Sequence, residues 1–108
     1  MNLPTEIFGN VAVVHTPEEL GSEQIGPFHA FLAGLSQVAV VLDLDGSELL
    51  DSAGLTALVD LQERLRIAQG DLKIATANPI NRKILELTRL DQQLEVFESV
   101  VDAVKSFR

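Results

Sequence analysis

The chain's clearest chemistry lies in one heptapeptide, Leu49-Leu50-Asp51-Ser52-Ala53-Gly54-Leu55, where a loop runs into a long apolar-striped segment. Two readings of the Asp-Ser pair share one geometry. In the first, Asp51 or Ser52 is a helix N-cap whose side-chain oxygen accepts a hydrogen bond from a first-turn backbone N–H. In the second, Ser52 offers an exposed hydroxyl beside unpaired N–H groups and the positive end of the helix dipole. A phosphate attached there is tolerated by the helix that carries it. It adds about −1.5 to −2 charges and three strong acceptor oxygens at one point. Gly54, without a side chain, leaves the first turn open to close approach by a partner or kinase. Residue types alone leave both readings open.

Other chemistries have thinner support. His15 and His29 are the two histidines, and neither has a partner at metal-ligand spacing; both are expected to be structural. With no cysteine there is no thiolate nucleophile, disulfide or Cys-based metal site. Phosphate-binding glycine loops of the Walker or Rossmann type are absent. The carboxylates are scattered and read as solvated surface charge. Ser52 as a hydrolytic nucleophile would need a base and an orienting third group, and the two histidines both lie in the first third of the chain.

The elements that must position the heptapeptide can be read from periodicity. A helix over about Ala53 to Ala68 follows from Leu55, Leu58, Leu61 and Leu65 as a buried stripe, with Thr56, Asp60 and Glu63 outward and Gly70 as C-terminal cap. Before it, Val38-Ala39-Val40-Val41-Leu42 suits a strand covered on both faces. Asp43 to Asp51 is read as a loop, turning most sharply at Asp45-Gly46. Near the N-terminus, Gly9-Asn10 between Thr5–Phe8 and Val11–Val14 marks a hairpin, and Thr16-Pro17 ends its second strand. Ile25, Phe28, Leu32 and Leu35 give a helix over Ser22 to about Leu35 with Pro27 in its first turn. Leu72–Thr76 reads as a strand, Asn78-Pro79 as a helix start running to about Leu87, and Leu94–Phe97 as a short strand or an extended edge. A last helix over Ser99 to Phe107 is built on Val100, Val101, Val104 and Phe107. Alternating strands and helices place the chain in class α/β, with a sheet of parallel βα units.

Composition sets the bounds. At 108 residues and 46% hydrophobic, residues 1–108 are expected to form one domain with a real core, aliphatic because aromatics are only five Phe. The net charge of −8 disfavours nucleic acid and anionic membranes, whose partners supply Lys and Arg, and favours a partner with a basic or neutral face. The N-terminus lacks the basic and apolar regions of a signal peptide, and no run approaches the roughly 18 apolar residues of a membrane span. A cytoplasmic protein is expected.

Two stretches, Val40-Val41-Leu42-Asp43-Leu44 and Asp51-Ser52-Ala53-Gly54-Leu55, together resemble the STAS domain of bacterial anti-sigma factor antagonists. There a strand ending in Asp-Leu leads through a short loop into Asp-Ser-(Ser/Thr/Ala)-Gly-Leu. Ala77-Asn78-Pro79-Ile80 through Leu85-Glu86-Leu87-Thr88-Arg89-Leu90 resembles the family's third helix, and Val96-Phe97-Glu98-Ser99 its ending. The likeness is close over about residues 36–108 and looser before that.

The resemblance implies a single STAS domain with a mixed four- to five-stranded sheet and about four helices. It implies that Ser52 is the phosphoacceptor, with Asp51, Ala53, Gly54, Thr56 and Asn78 at the partner-binding surface. The chain would be no enzyme and need no cofactor. It would bind an anti-sigma factor that is also a serine kinase, leave it when phosphorylated, and be reset by a PP2C-type phosphatase. Where the family often has a Gly-Glu-Leu-Asp turn after the second strand, this chain has Pro17-Glu18-Glu19-Leu20-Gly21, which leaves that partner contact unassigned. The alternative role is a STAS scaffold subunit that binds the ATPase of a lipid-asymmetry transporter without phosphorylation.

Overall fold

The computed structural model describes residues 1–107. Its elements follow as β1 (Thr5–Phe8), β2 (Val11–His15), β3 (Glu19–Leu20), α1 (Ile25–Ala33), β4 (Ala39–Asp43), β5 (Leu49–Leu50), α2 (Ser52–Ile67), β6 (Asp71–Ala75), α3 (Pro79–Leu87), a 3₁₀ turn (Leu90–Gln92), β7 (Glu95–Phe97) and α4 (Val100–Lys105). The class is α/β, as expected.

Five strands form one mixed sheet in the order β1-β2-β4-β6-β7. The hairpin at Gly9-Asn10 pairs β1 antiparallel to β2, with Gly9 at φ +63°, and the later strands are all parallel. Side chains alternate across a sheet, so the central strands β2, β4 and β6 feed two cores. Val14, Val40, Leu42, Leu72 and Ile74 pack with Phe28 and Leu32 of α1, Leu58 and Leu61 of α2, and Leu85 of α3. On the other face Val11, Val13, Ala39, Val41 and Ala75 meet Ala103, with Val100, Val104 and Phe107 partly buried beside them. Lys73 reaches up from β6 to hold α4's end: its Nζ donates to the Ser106 carbonyl (3.1 Å) and Oγ (2.8 Å), 4.4 Å from the Phe107 ring centroid.

Four expectations need correction. The stretch from Asp43 to Asp51 is not wholly loop, because Leu49–Leu50 pairs in parallel with Glu19–Leu20 as a separate two-stranded sheet. Two-residue strands carry no periodicity to read. Gly70 does not take the left-handed turn that ends α2; Gln69 does, at φ 68°. The Gly70 N–H donates to the Leu65 carbonyl (2.7 Å) and the Gln69 N–H to that of Arg66 (3.0 Å), the paired bonds of a Schellman ending. Gly70 is glycine because a Cβ there would strike the Val38 carbonyl. Val101 lies on the outer side of α4, 59% exposed, and Ala103 takes the buried place expected of it. In Gly54 the missing side chain faces inward, as described below.

Candidate functional site

The parallel strands β4 and β6 end at Asp43 and Ala75, and the segments leaving them open α2 and α3. Both helix starts therefore lie at the carboxyl edge of the sheet, where open α/β sheets place their binding surfaces. Three polar groups fix the path there. Asp45 Oδ1 accepts from Thr76 Oγ1 (2.9 Å) and the Ala77 N–H (2.7 Å). The buried Asn81 amide of α3 donates to the Leu44 and Ser47 carbonyls, both at 3.0 Å.

Asp51 is the N-cap of α2, which settles the first choice the sequence left open. Its backbone is extended and its Oδ1 accepts from the Gly54 N–H at 3.0 Å. Oδ2 accepts from the Ser22 N–H at 3.3 Å, tying the turn after β3 to the helix start. One carboxylate thus serves as cap and as latch.

Gly54 is buried, and a Cβ on it would collide with the Leu20 carbonyl. The space that glycine leaves is filled by β3's own backbone, so the first turn is not open to an outside partner at that point. Gly21 is similarly tight, with Asp51 Oδ2 directly over it.

Ser52 is the first residue of α2 and is exposed. Its hydroxyl makes no hydrogen bond among the described residues. Ser52, Thr56 and Asp60, spaced four apart, form an exposed ridge between two depressions. Ile25 and His29 of α1 line one side; Thr88, Leu90 and Gln93 line the other. Half-buried Ala53 lies in the first depression. Asn78 is elsewhere: it caps α3, its Oδ1 accepting from the Ile80 N–H at 2.9 Å, and it shares neither depression with Ser52.

His29 borders Ser52's depression, yet its Nδ1 accepts from Arg64 Nη1 at 3.3 Å, so that nitrogen is engaged away from the serine. No histidine–serine hydrogen bond of a catalytic pair occurs among the described residues. His15, at the carboxyl end of β2 beside Asp43, lines none of the depressions around the Asp-Ser helix start. The hydrogen bond to Glu6 raises its pKa above the usual imidazole value, burial opposes this, and Asp43 adds to the rise. Among the described residues no group of His, Asp and Glu could hold a metal, and no helix is long and apolar enough to cross a membrane.

The sequence reading missed the turn after β3. Glu19, Ser22 and Glu23 line a third depression with Leu49 and Asp51, and Leu49 is 60% exposed. The Pro17–Gly21 segment therefore borders the Asp-Ser motif. Gly21 and Gly54, each needed for close approach, were the available signal.

The family model described as the STAS domain matches residues 2–103. No curated protein matches the chain. Among solved structures, an anti-sigma factor antagonist from Mycobacterium paratuberculosis is 27% identical, covering 97% of this chain and 92% of its own, with a TM-score of 0.81. The Thermotoga maritima protein TM1081 is 21% identical, covering 96% of this chain and 92% of its own, with a TM-score of 0.85. The anti-sigma factor antagonist SpoIIAA of Bacillus, unphosphorylated, is 14% identical, covering 99% of this chain and 96% of its own, with a TM-score of 0.79. At the two lower identities the likeness is one of fold. The model match spans both the five-stranded sheet and the Asp-Ser helix start, and the chain belongs to the STAS domain family.

Proposed function

We propose that this protein is a phosphorylation-controlled anti-sigma factor antagonist whose switch is the Ser52 hydroxyl. The observation that carries the reading is the exposed position of Ser52, first in α2, behind a carboxylate already fixed at Asp51. A kinase can reach the hydroxyl without unfolding the chain. In the unmodified state the ridge of Ser52, Thr56 and Asp60, with Asp51 and Ala53 beside it, docks on the anti-sigma factor. Asn78 contributes from the neighbouring helix start. Gly54 shapes the surface from within by letting β3 close on α2.

Phosphorylation then places a dianion at the centre of that surface. Burying an uncompensated charge in an interface costs several kcal/mol, and each 1.4 kcal/mol is about tenfold in affinity. Binding weakens by roughly two orders of magnitude or more, through charge and bulk at the docked face with little change in the fold. In this reading the anti-sigma factor is itself the serine kinase and brings the ATP and magnesium. A PP2C-type phosphatase resets the cycle in the cytoplasm, and the chain itself is a substrate and a ligand instead of an enzyme. Support comes from SpoIIAA, a cell fate determinant with structures in phosphorylated and unphosphorylated forms.

Calorimetric titration against the cognate anti-sigma kinase tests this. Ser52→Ala is expected to bind like the parent and to stay bound when ATP is added. Ser52→Asp, with about one charge in place of nearly two, binds more weakly than the parent. Equal affinities for the Ala and Asp variants would remove Ser52 from the interface.

A further inference from the structure

The sheet face that carries α4 also holds three titratable side chains unused by the serine site. His15, at the end of β2, has Nε2 2.8 Å from Glu6 Oε1 on β1 and Nδ1 2.8 Å from Asp43 Oδ2 on β4. A neutral imidazole has one N–H donor and one acceptor nitrogen. With two ionised carboxylates, a neutral ring would set a lone pair against a carboxylate oxygen at one of these contacts. Both distances are satisfied together by the doubly protonated imidazolium.

The two arms differ in firmness. The Asp43 side chain is 16% exposed, and its Oδ1 accepts from the Asp45 N–H at 3.0 Å, so it is fixed. The Glu6 side chain is 55% exposed. Glu6 belongs to the edge strand, whose only sheet neighbour among the described residues is β2, and Glu6, Ile7 and Phe8 are all exposed. Little burial holds β1 down. The His15–Glu6 bond, with the His15 N–H to the Pro4 carbonyl (3.0 Å), fastens its polar side.

We propose that Glu6, His15 and Asp43 form a proton-operated clasp on the N-terminal edge strand, closed while His15 carries both protons and loosened when it loses one. Glu6 from β1 and Asp43 from β4 are the charged side chains paired with His15 among the described residues, and these are the two strands that flank it. The sign follows from a histidine whose folded pKa is raised. The clasp is fully closed below the ordinary histidine value of about 6.5 and weakens as pH rises through the folded pKa.

Proton NMR titration of the imidazoles, with amide hydrogen exchange corrected for intrinsic rates, tests the clasp on the full chain between pH 5.5 and 9. The His15 midpoint is expected above about 6.5. Opening of β1 should rise by up to about tenfold per pH unit between that value and the midpoint. Glu6→Gln, a change at an exposed position, is expected to bring the midpoint down and flatten the pH dependence of β1 exchange. His15→Gln should leave β1 exchange flat across the whole range. A parent midpoint at or below 6.5, β1 exchange that ignores the titration, or a Glu6→Gln variant that titrates like the parent would each overturn the proposal.

Discussion

Asp51 uses each of its two oxygens differently, and this makes the helix start sensitive to single substitutions. Asp51→Ala removes the cap and the Ser22 latch together and is expected to cost about 0.5–2 kcal/mol, read as a lower urea midpoint. Asp51→Asn keeps an acceptor for the Gly54 N–H and should lose less. Gly54 offers a sharper check because ordinary helix propensity gives the opposite sign. In a helix interior, Gly→Ala normally stabilises by about 1 kcal/mol. Here the added methyl meets the Leu20 carbonyl, so Gly54→Ala should destabilise by roughly 1–3 kcal/mol. A stabilised Gly54→Ala protein would mean that β3 does not close on α2.

At the scale of elements, most boundaries follow from local chemistry. Gly9-Asn10 makes the hairpin, and Asn78-Pro79 supplies both the cap and the first residue of α3. The leucine stripe of α2 and the outward Thr56, Asp60 and Glu63 are where a period of 3.6 puts them. What escaped was non-local. The β3–β5 pair exists because two distant dipeptides meet beside Gly54, and nothing within either dipeptide announces it. In α4 a run of valines hid which side faces the sheet. Val101→Lys should therefore shift stability by no more than about 0.5 kcal/mol, whereas Ala103→Leu, overfilling a buried site, should lose about 1–3 kcal/mol. Thermal or urea unfolding of the pair distinguishes the two faces; equal losses would contradict the orientation of the helix.

For the whole molecule, the α/β class was legible because continuous β-branched runs alternate with amphipathic helices, and the mixed sheet was what the family resemblance implied. The Asp-Ser motif was legible as a helix start, and the proposal that Ser52 is a switch rests on the family resemblance and on its exposed position. The Glu6–His15–Asp43 group was not legible at all, since its members are separated by 9 and 28 residues and meet only through strand register. That register also gives global stability a pH slope. With the His15 pKa raised, its contribution is present below about pH 6.5 and declines as pH rises through the folded value. Urea midpoints measured across that range should fall with rising pH by more in the parent than in Glu6→Gln.

The proposed serine switch makes the most direct demand on the molecule. Incubation of the full chain with its cognate serine kinase and ATP, followed by peptide mass mapping, should show one added phosphate, located on Ser52 and absent from Ser52→Ala. Phosphate on another residue, or an unmodified chain with an active kinase, would contradict the account.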